Sequence, residues 1–191
     1  IWAILALVSI ATSSAVLGLR LTGHLQMWEL QAFDRLMRLR PAEPPDPRLL
    51  IIEVTETDVQ AQPVTERGAS SLGDATLNRL LNKLNTAHPR TVGLDIYREQ
   101  FATSGEGQLA EKLRSQPNLF AICNYGNPGV PPPPEVSLTN HGFNNVLEDV
   151  DGVVRRYPLA VGNAAPCENA YSLSWLLAAH YLERQGITFQ I

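Results

Sequence analysis

The chain has 191 residues, of which 45% are hydrophobic, and a formal net charge of −4. This length is sufficient to bury a core and fits one domain better than two. Lysine and arginine residues are scattered along the chain, so the sequence has no basic patch of the kind that binds nucleic acid.

The first 19 residues, IWAILALVSIATSSAVLGL, carry no charged side chain and are followed by Arg20. A helix of that length rises about 1.5 Å per residue and comes close to the roughly 30 Å hydrocarbon core of a bilayer. We therefore expect residues 1–20 to form a transmembrane helix. The alternatives are a cleaved signal peptide and a buried helix of a soluble protein. Because the chain begins at Ile1 and not at Met, we expect it to be a fragment of a longer protein.

An amphipathic, juxtamembrane helix is predicted next, over residues 21–40. Its apolar residues recur at spacings of three and four, and the charged side chains take the other faces. The apolar positions are Leu25, Trp28, Ala32, Leu36 and Leu39. This apolar stripe either packs on its own domain or pairs with a second copy of the chain. The segment PAEPPDP, residues 41–47, then ends the helix and predicts a stiff, extended connection.

Residues 41–191 are predicted to form an α/β domain. Three apolar runs have the composition of parallel strands buried on both faces, namely RLLIIEVTET, TVGLDIYR and NLFAICNY. Helical patterns separate them, in DATLNRLLNKLNTAHPR, with Asp74 as the expected N-cap, and in GQLAEKLRSQP. This alternation of strand and helix predicts βαβ units with parallel strand pairing.

The last third of the chain changes pattern. Asp151-Gly152 lies between two apolar runs, which predicts a β-hairpin, and AYSLSWLLAAHYLERQG predicts a final helix. The fold class is therefore α/β. We expect a single three-layer-like domain with a mixed, largely parallel central sheet and a β-hairpin, preceded by a long N-terminal transmembrane and juxtamembrane helix.

Sequence motifs for catalysis and cofactor binding are absent. There is no GxGxxG, no GKS or GKT and no GxSxG, and the four histidines are far apart in sequence. We therefore predict no catalytic residue, no cofactor and no metal ligand. Cys123 and Cys167 lack CxxC spacing and neighbouring histidines, so they are either two buried thiols or one disulfide.

Polar and aromatic side chains follow the predicted strands, and ligands collect at the carboxyl edge of open parallel sheets. The residues chosen as candidate ligand contacts are Glu53, Asp58, Asp95, Tyr97, Asn124 and Asn145. Further polar or aromatic residues at predicted strand ends are Glu56, Tyr125, Phe143 and Asn144. Such a cluster could bind a cation or a polar solute. The alternative is that these side chains cap helices or solvate the rim of the sheet.

The chain has a family resemblance that rests on four segments. In chain order they are FDRLMRLRP, PPDPRLLIIEVTETD, TVGLDIY and GFNNVLEDVDGVVRRYPL. With these motifs the chain resembles the type-two CHASE domain, an extracytoplasmic sensory domain of bacterial receptors, from about Gln26 to about Gln185. The resemblance implies an α/β domain outside the cytoplasm, further transmembrane helices after Ile191 and a cytoplasmic cyclase or kinase. The loop QAQPVTERGASSLG lacks the tryptophan-rich WPWPR type of segment found in many members, which puts in doubt any site built from that loop.

The extracytoplasmic placement that the resemblance implies also bears on the cysteines. In an oxidising compartment Cys123 can pair with Cys167, and closing a loop of about 44 residues would stabilise the fold by roughly 3 to 4 kcal/mol. In the cytoplasm the two thiols would stay reduced.

The leading hypothesis from the sequence is a non-catalytic sensor at the cell membrane, with its α/β domain on the extracytoplasmic side. It would bind an unknown small molecule, form a homodimer through its N-terminal helix and pass a change to a cytoplasmic output domain. One alternative is an extracytoplasmic, metal-dependent hydrolase that uses Glu53, Asp58 and Asp95. The other is a purely structural dimerisation module.

Overall fold

The structure is a computed structural model, and it describes residues 1–66, 72–102 and 107–189. The chain divides into two compact units, Ile1–Ile51 and Ile52–Ile191. Part of the predicted polar loop between residues 58 and 73 lies outside the described residues. Its described beginning contains a short helix and a single turn of 3₁₀ helix, Val64–Glu66.

Two helices make up most of the first unit. Helix α1 spans Trp2–Leu21 and is long and apolar enough to cross a membrane by length and composition. Helix α2 spans Gln26–Arg38. A turn separates the two helices at Gly23, whose φ of 79° is readily adopted only by glycine. The predicted end of the helix before the proline-rich segment is confirmed.

A three-stranded parallel sheet forms the centre of the second unit. Its strands are β1, Val92–Leu94, β2, Leu119–Cys123, and β3, His141–Phe143, in the order β1-β2-β3. Strand β2 pairs with β1 through Gly93 opposite Phe120, and with β3 through Ile122 opposite Gly142. The strands predicted in TVGLDIYR and NLFAICNY are therefore confirmed, and β2 is the central one.

Helices cover both faces of this sheet. Helices α4, Asp74–Asn85, and α5, Gly107–Ser115, supply leucines that pack with Leu119 and Ala121 of β2 in one core cluster. Helix α6, Leu173–Glu183, packs with Phe120 and Ile122 in another. Because successive side chains of a strand point to opposite faces, the fully buried β2 serves both cores. This arrangement confirms the three-layer α/β fold class.

The predicted hairpin is also present, as strands β4, Leu147–Glu148, and β5, Val154–Arg156, paired antiparallel. Ion pairs hold its turn, since the guanidinium of Arg155 contacts both Asp149, at 3.0 Å, and Asp151, at 2.7 Å. The side chains of Arg155 and Asp149 are only 5% and 3% exposed. A carboxylate that is buried in this way has to be paired to be tolerated, and here it is.

The prediction of a first strand in RLLIIEVTET is wrong. Residues 49–54 form no ladder, and Leu49, Leu50 and Ile51 are 73%, 79% and 87% exposed. Helix α3, Glu56–Ala61, begins directly afterwards. The helix starts there because Thr55 and Asp58 form a capping box, in which each side chain accepts a hydrogen bond from the backbone N–H of the other.

The expected N-cap of α4 also needs a correction. Gly73 is the N-cap, and Asp74 is the first helical residue. The carboxylate of Asp74 forms an ion pair with the guanidinium of Arg98, which is buried and also donates to the carbonyl of Leu72. An acidic residue in the first turn still suits the helix dipole. Asp74 therefore ties the start of α4 to the segment that follows β1.

Candidate ligand-binding site at the carboxyl edge of the sheet

A chain of hydrogen bonds between side chains crosses the carboxyl ends of all three parallel strands. The amide of Asn145 donates to Asn124 at 2.9 Å, and Asn124 donates to the hydroxyl of Tyr97 at 3.2 Å. That hydroxyl donates to Asn144 at 2.6 Å, and Asn144 donates to the carboxylate of Asp95 at 3.0 Å. We call these five residues the carboxyl-edge network.

The topology of the sheet brings this network together. Asp95 and Tyr97 follow β1, Asn124 follows β2, and Asn144 and Asn145 follow β3. Because the three strands run parallel, their carboxyl ends meet at one edge, which is where open α/β sheets bind ligands. Four of the six residues predicted as ligand contacts, Asp95, Tyr97, Asn124 and Asn145, are thus linked to one another.

The hydrogen bonds of the network all have the same direction. Each donor points away from Asn145 and toward Asp95. Hydrogen bonds in such a chain polarise one another, and the carboxylate at its end is an acceptor that binds donors strongly. Asp95 is exposed, and Tyr97 is 37% exposed. The network is therefore open to a solute, and its carboxylate end favours one that carries a cation or N–H and O–H donors.

Backbone contacts hold the other end of the network in place. The side-chain oxygen of Asn145 accepts from the backbone N–H of Tyr125 at 3.0 Å, and its amide also donates to the carbonyl of Tyr125 at 3.0 Å. The ring of Tyr125 packs edge-on against that of Phe143, with 5.0 Å between ring centroids. Asn145 therefore fixes the segment after β2 to the segment after β3.

Tyr157 lies near the same edge, after strand β5. Its hydroxyl donates to the carbonyl of Phe143 at 3.3 Å. Burial raises the pKa of this hydroxyl, and the negative charge of Asp95 contributes to the same shift. Tyr157 is not among the predicted ligand contacts, because it follows a hairpin strand and not one of the parallel strands. The only signal in the sequence was its place inside the family motif GFNNVLEDVDGVVRRYPL.

A disulfide joins Cys123, the last residue of β2, to Cys167, with 5.5 Å between the two Cα atoms. Both cysteines are fully buried. The neighbouring His141 is also buried, and its ring nitrogens face the carbonyl oxygens of Ser137, at 3.1 Å, and Cys167. The expected pairing is therefore confirmed, and it anchors the strand end from which Asn124 projects.

The two remaining predicted contacts lie in and beside α3. Asp58 belongs to the capping box, where the hydrogen bonds from the Thr55 hydroxyl and backbone lower the pKa of its carboxyl. Glu53 is exposed in the extended segment before that box. Glu56, the other acidic residue there, accepts from Gln60 at 2.6 Å within the helix. No contact described for these residues joins them to the carboxyl-edge network.

The described residues contain no group of three or more His, Cys, Asp or Glu side chains that could hold a metal ion. Glu53, Asp58 and Asp95 in particular do not form such a group. A catalytic zinc ion has three protein ligands as a rule. The described residues therefore give a zinc-dependent hydrolase no support.

Comparison with protein families gives one match. The family described as CHASE2 domain matches residues 11–190, which is nearly the whole chain. Comparisons with curated proteins and with solved structures returned no match. The match spans the α2 helix, the parallel sheet and the hairpin described above. The chain therefore belongs to the CHASE2 family, whose members are extracellular sensory domains of receptors and are not catalytic.

Proposed function

We propose that this chain is the input domain of a membrane-bound signalling receptor, with its α/β unit on the extracytoplasmic side. Family membership supports the sensory role. The uncharged helix α1 supports anchoring in the membrane, and the disulfide supports an oxidising compartment. In this proposal residues 1–20 span the membrane, residues 21–40 form a juxtamembrane helix and residues 41–191 form the sensory domain.

The observation that carries the proposal furthest is the carboxyl-edge network. It draws one residue or more from the end of each parallel strand into a single exposed chain of hydrogen bonds. A small polar molecule with a cation or several donors would bind Asp95 and compete with Asn144 for its carboxylate. Because Asn144 is bonded in turn to Tyr97, such a ligand would alter the contacts between the ends of β1 and β3.

A ligand can signal only if it binds two conformations of the receptor with different affinity. We propose that the change passes to the membrane through the N-terminal helices, and from there to a cytoplasmic output domain outside this chain. Helix α2 leaves several large apolar side chains exposed, among them Trp28, at 72%, and Leu36, at 66%. Such a surface suits a homodimer, in which α2 of one copy packs on α2 of the other.

A thermal-shift screen of the whole chain in detergent tests the sensor. The panel contains calcium and magnesium ions, amino acids, neutral sugars and nucleotides. A compound that binds the folded state raises the unfolding midpoint as its concentration increases. Tyr97→Phe removes the hydroxyl that links Asn124 to Asn144, and we expect it to reduce that shift at least threefold. Tyr171→Phe is the matched control, since no hydrogen bond is described for the Tyr171 hydroxyl.

The outcome of this screen also separates the alternatives. A shift that Tyr97→Phe leaves intact would contradict the proposed site. Stabilisation by a divalent ion alone, which Tyr97→Phe leaves intact, would favour the metal-dependent hydrolase. A stable dimer that no compound in the panel affects would favour the structural dimerisation module, for which the exposed apolar face of α2 is the specific observation.

A further inference from the structure

A wide groove lies at the opposite edge of the sheet, where the chain enters β1 and β2. Its volume is about 1120 Å³. The second half of α4, one face of α5 and the residues that precede β1 and β2 form its walls, and Arg184 closes it beyond α6. Nearly all of its lining side chains are polar or charged, and Pro89 is the exception. These side chains favour a ligand that has polar or charged groups.

The charge of the groove differs from that of the chain as a whole, whose net charge is −4. Three cationic side chains line it, Arg90, Lys112 and Arg184, against one carboxylate, Glu111. Glu111 is engaged by Arg114 at 3.3 Å. Within the part of the chain that the structure describes, none of the three cations forms an ion pair with a carboxylate. Their charges are therefore available to an anionic ligand.

Neutral oxygens, and not carboxylates, hold the central cation. The ammonium of Lys112 donates to the side-chain oxygens of Asn78, at 2.6 Å, and Asn82, at 2.5 Å. Partial burial lowers the pKa of this ammonium, as expected for a cation without a counter-ion. The guanidinium of Arg90 lies over the ring of Tyr181, 5.1 Å from the ring centroid. Both cations are thus held in position with their positive charge uncompensated.

Side-chain amides supply donors and acceptors beside these cations. Asn85 of α4 and Gln116, just after α5, exchange hydrogen bonds at 3.2 Å and 3.0 Å across the groove. Amides that pair in this way can each turn one donor or acceptor toward a hydroxyl group. Charged groups next to paired amides suit a ligand that has both an anionic group and several hydroxyls. A groove of this volume also exceeds what a bare inorganic ion requires.

We propose that this amino-edge groove binds a sugar that carries a carboxylate or a phosphate, with Lys112, Arg90 and Arg184 contacting the anionic group. A uronic acid and a sugar phosphate share this chemistry, and the experiment separates them. This site lies apart from the carboxyl-edge network and does not depend on it. Either site can therefore fail without the other.

Isothermal titration calorimetry on the whole chain in detergent tests the groove, with glucuronate, glucose 6-phosphate and glucose as the three probes. We expect one of the two anionic sugars to bind and glucose to bind at least tenfold more weakly. Raising the salt concentration should weaken the binding, since the attraction is electrostatic. Binding of none of the three, or glucose binding equally well, would overturn the proposal.

Substitutions locate the binding. Lys112→Met should weaken it at least tenfold, and the control is Lys83→Met, because Lys83 is the only other lysine and does not line the groove. Lys112 also joins α4 to α5, so Arg184→Gln serves as a second variant that leaves those helices untouched. We expect a loss of at least fivefold for Arg184→Gln. Unchanged affinity in either variant, with the fold intact, would overturn the assignment, and Tyr97→Phe should leave this binding as it is.

Discussion

Two apolar runs of similar composition behave differently in this molecule. The five residues of β2, Leu119–Cys123, are all buried, and none is more than 5% exposed. The residues Leu49, Leu50 and Ile51, which the sequence marks as the start of another strand, are 73% to 87% exposed. An apolar run indicates a tendency to leave water, but a strand also needs a neighbour to complete its hydrogen bonds.

The surroundings of the two runs account for the difference. Strand β2 has a paired strand on each side and a helix layer over each face. The other run follows a proline-rich segment and leads directly into the capping box of Thr55 and Asp58. That box fixes the start of α3 and therefore sets the last residue at which an extended conformation can continue.

The largest expected effect concerns the disulfide at the end of β2. The double variant Cys123→Ala and Cys167→Ala removes the constraint on a loop of 44 residues. On the chain-entropy model this lowers the free energy of unfolding by about 4 kcal/mol. Urea denaturation of the oxidised chain in detergent, with and without the substitutions, measures it. A loss below about 1 kcal/mol would show that β2 is held by packing alone.

Truncating one isoleucine in each apolar run tests whether the two runs differ in burial. Ile122 of β2 is 1% exposed, and Ile122→Ala should lower the free energy of unfolding by about 3 kcal/mol. Ile51→Ala, its matched control at 87% exposure, should change it by less than about 0.5 kcal/mol. The same denaturation experiment gives both values. A similar loss from both substitutions would mean that the exposed run is buried in solution.

The capping box at the boundary between the exposed run and α3 is expected to contribute less to the stability of the fold. Thr55→Ala removes the capping oxygen that accepts from the backbone N–H of Asp58. Loss of a helix cap typically lowers stability by about 1 kcal/mol. Thr55→Ser keeps the oxygen and is the control. If the two variants unfold at the same urea concentration, the capping box does not determine where the extended segment ends.

The smallest expected effect concerns the hairpin, which is held by ion pairs, whereas β2 is held by burial. It appears only in acid. Hydrogen bonds from Arg155 hold the pKa of Asp151 at about 2, below its ordinary value of 3.8. Hydrogen bonds from Arg155 and Arg156 lower that of Asp149 as well. A depressed carboxyl pKa stabilises the fold above the ordinary pKa, and this contribution is lost as the pH falls through the folded pKa.

Hydrogen exchange as a function of pH measures this effect. Between pH values of about 4 and 2, the backbone amides of β4 and β5 should lose protection before those of β2. The variant Asp151→Asn should bring the loss to the hairpin at neutral pH and leave β2 unchanged. Simultaneous loss of protection in the hairpin and in β2 would contradict the prediction that ion pairs stabilise the hairpin independently of β2.

Much of the fold could be predicted because its signals are local in sequence. The period of the leucines in α4 and α5, the apolar run of β2 and the Asp151-Gly152 turn each define an element without reference to the rest of the chain. The wrong prediction of a first strand has a different cause. Strand formation depends on a partner, and no pattern within residues 49–54 reveals whether the partner is present.

The candidate site divides in the same way. Parallel pairing of the strands allowed Asp95, Tyr97, Asn124 and Asn145 to be placed at one edge from the sequence. Asp58 was misplaced because Thr55-Glu56-Thr57-Asp58 also reads as a capping box, and a local hydrogen bond forms more readily than a distant one. The sequence did not predict that Asn144 links Tyr97 to Asp95 in the network, since this link depends on the register between β2 and β3.

Four features of this protein follow from the amino-acid sequence alone, namely the uncharged N-terminal helix, the alternation of helix and strand, the hairpin and the family. They do so because periodicity, charge and short motifs are properties of neighbouring residues. Three other features depend on how the folded chain packs, namely which apolar run forms a strand, how the carboxyl-edge network is connected and that three cations line one groove. These features join residues that are far apart along the chain. Their energies depend on distances and burial that exist only after the chain has folded.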